Sequence, residues 1–210
     1  LGFFKDLHDY LDNELSNDLS DDKKIYYLIE KAKTYKEQDQ FIEAENIYNN
    51  LLFEYEKTMN SHKNHFGDIY YQLGQLYMEE YGEYNKALNY FSLSLEKKPT
   101  DLNIRDKFQS LEKYIEILNQ YLMLINPTEN DTTIVVDEDI QKDDNLDIFT
   151  IPLPSDYKYE VDNTDTLLFN MGSILYFELD LQDEALEKLK LIFNNNIDSP
   201  LIPKVILFLK

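Results

Sequence analysis

The chain of 210 residues carries 41 acidic and 20 basic side chains, a formal net charge of −21, and no cysteine. That balance excludes the clustered Lys and Arg a nucleic-acid or anionic-membrane surface requires, Arg105 being the only arginine, and the missing cysteines exclude disulfides and thiolate metal sites. Hydrophobic residues at 43% suffice for a core, five glycines and six prolines are too few for an all-β fold, and no apolar run approaches the roughly 18 residues of a membrane span.

In chain order, residues 1–22 hold seven acids against Lys5, with Phe3, Phe4, Leu7, Leu11 and Leu15 at helical spacing. This predicts a short acidic amphipathic helix ahead of the main array. Ser20 or Asp21 is placed to cap the next helix. Four helices are then predicted over 22–38, 40–58, 62–81 and 84–97. The most informative stretch is Tyr70-x2-Leu73-Gly74-x2-Tyr77, followed by Ala87-x3-Phe91 and by Pro99. Tyr70, Leu73 and Tyr77 share one helix face. Gly74 and Ala87 have almost no side chain, so two antiparallel helices can approach closely where they cross. Phe91 fills the space beside the crossing, the Gly82-Glu83 turn separates the helices, and Pro99 ends the second.

The pattern recurs. Upstream, Leu28, Ala32 and Tyr35 precede Ala44 and Tyr48; downstream, Leu168, Met171-Gly172 and Leu175 precede Ala185 and Leu189. Gly74 to Ala87 and Gly172 to Ala185 are both thirteen positions, and Ala32 to Ala44 is twelve, so the last two units share one extra residue in the turn. On these residues the chain resembles the tetratricopeptide repeat (TPR) family. Ala44 to Ala87 is forty-three positions, longer than the repeat of roughly 34 residues typical of the family. The surplus lies in 53–65 and is expected to extend the helices, similar to the long-repeat subclass of kinesin light chains. The resemblance implies an all-α fold: helical hairpins stacked as a solenoid with a right-handed superhelix, here interrupted by an acidic loop insertion.

Beyond the first two pairs, Ile104, Phe108, Leu111, Ile115, Leu118, Leu122 and Ile125 form a heptad stripe along 101–125. Two readings stand: a long helix sealing the first repeats, or a seam for a helical partner or a dimer through 104–125. Residues 126–166 lose the helical period and hold twelve acids against Lys142 and Lys158, with three of the six prolines. This stretch reads as an exposed irregular acidic loop or as a segment docked on the protein's own surface. Ile134–Val136 and Ile148–Leu153 are its apolar pieces, each a candidate short strand, and the second is a candidate internal ligand for the groove described below. Residues 165–194 resume the repeat, and 203–210 begin a further helix. The expected organisation is therefore 1–22, 23–125, 126–164 and 165–210, as part of a longer chain.

Catalytic and metal frames are missing. His62 and His65 stand three apart without an HExxH pattern, and Asp137-Glu138-Asp139 lacks the glycine and glutamate of an EF-hand loop. There is no glycine-rich phosphate loop and no Ser/His/Asp frame. The expectation is a protein that is not an enzyme and takes no cofactor or metal. In the TPR family the first helix of each pair lines a concave groove. Carried over, the candidate groove residues are Tyr26, Ile29, Lys33 and Lys36; Asp68, Tyr71, Gln75 and Met78; and Thr166, Phe169, Ser173 and Tyr176. Tyr71, Met78, Phe169 and Tyr176 are the expected aromatic and apolar anchors for a peptide. Tyr71 and Gln75 occupy places where the chaperone-binding subfamily has a Lys and Asn grip on a terminal carboxylate. The reading that follows is an interaction scaffold for a peptide or protein partner, with an alternative as an acidic chaperone for basic proteins such as histones. Either role places the chain in the cytoplasm or nucleus, with no nucleic-acid partner and no membrane insertion.

Overall fold

The computed structural model describes residues 2–126, 164–196 and 198–208. Among them are nine α-helices, one 3-10 turn and no strand. The helices are α1 (Gly2–Leu15), α2 (Asp21–Lys36), α3 (Phe41–Glu54), α4 (Lys63–Glu79), α5 (Tyr84–Lys97), α6 (Leu102–Ile125), α7 (Thr164–Phe177), α8 (Gln182–Asn195) and α9 (Ile202–Phe208). They form two compact units, Leu1–Phe108 and Gln109–Lys210, whose boundary falls inside α6. In the first unit α2 packs on α3, α4 on α5, and α1 on α2; in the second α7 packs on α8, with α9 against α8. These packed pairs are consistent with helical repeats.

The three pairs turn in the same way. A residue in the left-handed region, Asp39 (φ 58°), Gly82 (φ 64°) or Asp180 (φ 62°), precedes an N-cap of nearly constant conformation. Those caps are Gln40 (φ −95°, ψ 65°), Glu83 (φ −85°, ψ 69°) and Leu181 (φ −97°, ψ 70°), and none makes a side-chain capping bond. The cap N–H instead donates back to a carbonyl of the first helix: Gln40 to Tyr35, Glu83 to Tyr77 and Leu181 to Leu175. The last two closures span one residue more than the first, which is where the thirteen-residue spacing puts its extra residue. In each pair the fourth residue of the second helix is a buried alanine, Ala44, Ala87 or Ala185.

Close approach explains the small residues of the first helices. A Cβ on Gly74 would lie 2.7 Å from Cδ1 and Cε1 of Phe91, and one on Gly172 would lie 2.7 Å from Cγ of Leu189. The equivalent Ala32 is fully buried, as is Tyr48 of α3. Burial holds the Tyr48 hydroxyl well above the usual tyrosine range, with Glu30 adding to it. Around these crossings lie Leu73, Leu76, Tyr77 and Phe91 in one unit and Leu168, Met171, Leu175 and Leu189 in the other. On the hairpin's outer side the Tyr77 and Tyr81 hydroxyls both donate to the Glu45 carboxylate, joining α4 to α3. Tyr77 also stacks on Tyr90 at 5.4 Å.

Some expectations need correction. The surplus residues 53–65 do not extend α3, which stops at Glu54; a 3-10 turn, Glu56–Thr58, and the turns after it carry the chain to Lys63. Tyr55 is buried at the helix end and its carbonyl accepts from Thr58 N–H at 3.0 Å, so the tighter bond ends the α-helical ladder there. Ser20 is the N-cap of α2 but makes no side-chain bond, its carbonyl alone taking Lys24 N–H at 3.0 Å. The heptad stripe is mostly used inside the chain: Ile104, Leu111 and Ile115 are buried, whereas Leu122 and Ile125 are exposed. An unbroken partner seam through 104–125 is thereby lost. The insertion, with Ile134–Val136 and Ile148–Leu153, lies outside the described residues. No helix among the described residues is long and apolar enough to cross a membrane.

Candidate binding face

In the first unit, one face of α2 and α4 carries most of the residues singled out from the sequence. Lys36 of α2 reaches Glu79 of α4 in a 2.5 Å ion pair, both groups partly buried. Gln75 Nε2 donates to the same Glu79 at 3.3 Å, one turn earlier on α4. One turn before that, the Tyr71 ring lies 5.6 Å from Phe91 and its hydroxyl accepts from Asn103 Nδ2 at 3.0 Å. Asp68 is ion-paired with Lys98 from the end of α5. Asp68, Tyr71, Gln75 and Glu79 therefore form one polar-aromatic stripe at three- and four-residue spacing, tied at either end to a neighbouring helix. Lys33 extends it on α2, held by Glu30 at 2.8 Å. Tyr26 is 50% exposed, with Tyr27 edge-on at 5.6 Å.

Two residues expected on this face are not available to a partner. Met78 is 1% exposed and Ile29 is 3% exposed. An isolated hairpin would leave the Met78 side of α4 open, but here α4 packs against α2 and α3 as well as α5. The periodicity of a single hairpin cannot register that additional layer.

In the second unit the corresponding side of α7 is partly covered by the chain itself. Phe208 of α9 stands edge-on to Phe169 at 5.9 Å and to Tyr176 at 5.3 Å, and tilted to Phe177 at 5.4 Å. Lys204 adds an ammonium 5.8 Å above the Phe169 ring. Ser173 Oγ donates to the Phe169 carbonyl at 2.8 Å, and Thr166 is half-buried. Phe169 and Tyr176 thus serve first as a seat for α9, which corrects their reading as open anchors. The exposed apolar side chains nearby are Phe177 at 69% and Leu207 at 72%.

The sequence reading missed Glu79, Asn103 and Phe208. Glu79 was within reach, since it continues the three-four spacing of Asp68, Tyr71 and Gln75. Asn103 and Phe208 lie on other helices, and nothing in a single-helix pattern assigns them to this face. Among the described residues, no group of three or more His, Asp or Glu side chains could hold a metal ion. His62 and His65 instead both approach the Asp22 carboxylate, at 2.7 and 3.6 Å, fastening the start of α2 to the start of α4. In comparisons with family models, curated proteins and solved structures, the chain matches none.

Proposed function

We propose that this chain is a tetratricopeptide-type array of helical hairpins, wound as a right-handed superhelix, and that it works as a non-enzymatic scaffold binding a peptide or protein partner along its first helices. The observation that carries the proposal is the stripe on α4. Tyr71 and Gln75 are only half-buried there, on a face fixed by the Lys36–Glu79, Asp68–Lys98 and Asn103–Tyr71 contacts. A fixed, partly aromatic face suits peptide recognition, because little conformational entropy is left to lose on binding. The repeated turn and the small residues at the crossings support the array. The test is affinity capture with the intact chain and with a Tyr71→Ala, Gln75→Ala variant, followed by mass spectrometry. Partners retained equally by both would refute binding at this face.

The charge of −21 supports a second reading, an acidic chaperone for basic proteins such as histones. Salt separates the two. Binding of a basic protein should fade steeply between low and high ionic strength, whereas face binding through Tyr71 should change little.

A further inference from the structure

Helix α1 packs on α2, with Leu11 buried and Asp12 ion-paired to Lys31. One turn before Asp12, His8 meets the end of α2. Its ring stands edge-on to Tyr35 at 4.4 Å, and its Nε2 lies 2.9 Å from Gln38 Nε2 and 3.3 Å from Thr34 Oγ1.

These neighbours fix the proton on the ring. Gln38 Nε2 also donates to the Thr34 carbonyl at 2.8 Å, which sets the amide's orientation, because the opposite one would press oxygen against oxygen. An amide NH2 group can only donate, so His8 Nε2 is the acceptor and the neutral ring carries its hydrogen on Nδ1. Thr34 Oγ1 gives its single hydrogen to the Lys31 carbonyl at 2.7 Å and has only lone pairs left for His8. One ring nitrogen therefore faces a donor, Gln38, and an acceptor, Thr34. Which of them it uses depends on whether it carries a hydrogen.

Gln38 in turn governs the connection to α3. Its backbone N–H goes to the Tyr35 carbonyl, so its side chain is what covers the Thr34 carbonyl at the end of α2. The N–H groups of Asp39 and Gln40 close the same turn on Lys36 and Tyr35. Within one turn of the contact, α1 carries Lys5, Asp9 and Asp12, and α2 and its end carry Lys31, Lys36 and Glu37. Asp12 is paired with Lys31 and Lys36 with Glu79. The carbonyl end of α2 attracts an imidazolium, which keeps a charged ring at this place.

We propose that His8 is a pH-sensitive switch for the α2–α3 turn. The neutral ring accepts from Gln38 and holds that side chain over the Thr34 carbonyl. On gaining a proton, Nε2 becomes a donor and turns to Thr34 Oγ1. It then meets the Gln38 NH2 group donor to donor, so Gln38 withdraws and the turn loosens while α1 stays docked.

The experiment is nuclear magnetic resonance of the ¹⁵N-labelled chain at pH 8 and pH 5, the interval over which histidine changes charge. At pH 8 the His8 ring should carry hydrogen on Nδ1 and none on Nε2. At pH 5 amide protection factors at 38–40 should fall about fivefold, the worth of one hydrogen bond, while those of α1 hold. His8→Phe keeps an aromatic ring beside Tyr35 but cannot titrate, and its protection at 38–40 should be equal at the two pH values. His62 and His65 remain in that variant, so their titration is controlled for. Hydrogen on Nε2 at pH 8, equal protection at both pH values in the unsubstituted chain, or a fall that persists in His8→Phe would overturn the assignment.

Discussion

Gly74→Ala tests the helix crossing directly. Two opposing effects act at this position. Replacing glycine by alanine inside a helix gains about 1 kcal/mol through backbone entropy. Against that, the new Cβ would sit 2.7 Å from two ring carbons of Phe91, and Phe91 is itself fully buried. Forcing a methyl group into such a contact typically costs about 1–3 kcal/mol. The clash should dominate, for a net loss of up to about 2 kcal/mol, and Gly74→Leu should lose more than Gly74→Ala. Urea unfolding followed by helical circular dichroism reads the difference as a lower midpoint at an unchanged slope. A double-mutant cycle with Phe91→Leu assigns the loss to the ring: Gly74→Ala should cost at least about 0.5 kcal/mol less in the Phe91→Leu background. If Gly74→Ala instead stabilises the protein by about 1 kcal/mol, the helices do not cross at this contact and the reasoning fails.

Gly82 is a glycine of another kind: a Cβ there meets nothing within 4 Å, but its φ is +64°. Gly82→Asp should therefore be nearly neutral, as Asp39 and Asp180 hold the same conformation, whereas Gly82→Val should cost more than about 1 kcal/mol; equal midpoints would refute this. Stability should fall above about pH 10, because Tyr48 and Tyr77 are both held above the ordinary tyrosine range, chiefly by burial. The folded state keeps protons that the unfolded chain releases, so each contributes a decline of up to about 1.4 kcal/mol per pH unit, and urea midpoints flat from pH 9 to 11 would contradict it. Phe169→Ala should lower amide protection across 202–208, since it removes one of the rings on which Phe208 rests; unchanged exchange would detach α9 from that seat. Lys36→Ala should destabilise by about 1 kcal/mol or less, the difference shrinking in high salt, and a salt-independent loss would mean that the pair with Glu79 is not its cause.

The helical pairs were legible because their determinants are local. Gly74, Ala87 and Phe91 sit at fixed offsets, and a left-handed residue followed by an extended cap is set within a few positions. The termination of α3 was not, because residues 53–65 have the composition of a helix and only the Thr58–Tyr55 bond shows the ladder tightening. On the candidate face, Tyr71, Gln75 and Lys33 were singled out through the family resemblance, which assigns the first helix of each pair to a groove. Met78 and Ile29 could not be excluded, since their burial depends on a second pair of helices. Phe169 and Tyr176 were misjudged for a similar reason: Phe208 is distant in sequence, and no periodicity within α7 reports it.

The hairpin turns have a consequence for how such a chain can change in length. Each is closed by backbone alone, from a cap N–H to a carbonyl, and no side chain is required to bridge it. The first closure takes in one residue fewer than the other two, yet in all three the second helix begins from a cap of nearly the same conformation and buries alanine at its fourth position. The joint, meaning the last turn of the first helix with the four-residue connection after it (37–40, 80–83 or 178–181), absorbs a residue without passing the change on to the second helix. It behaves as an expansion joint, and a single insertion or deletion there should be accommodated where the same change at Gly74 or Ala87 would displace every contact after it.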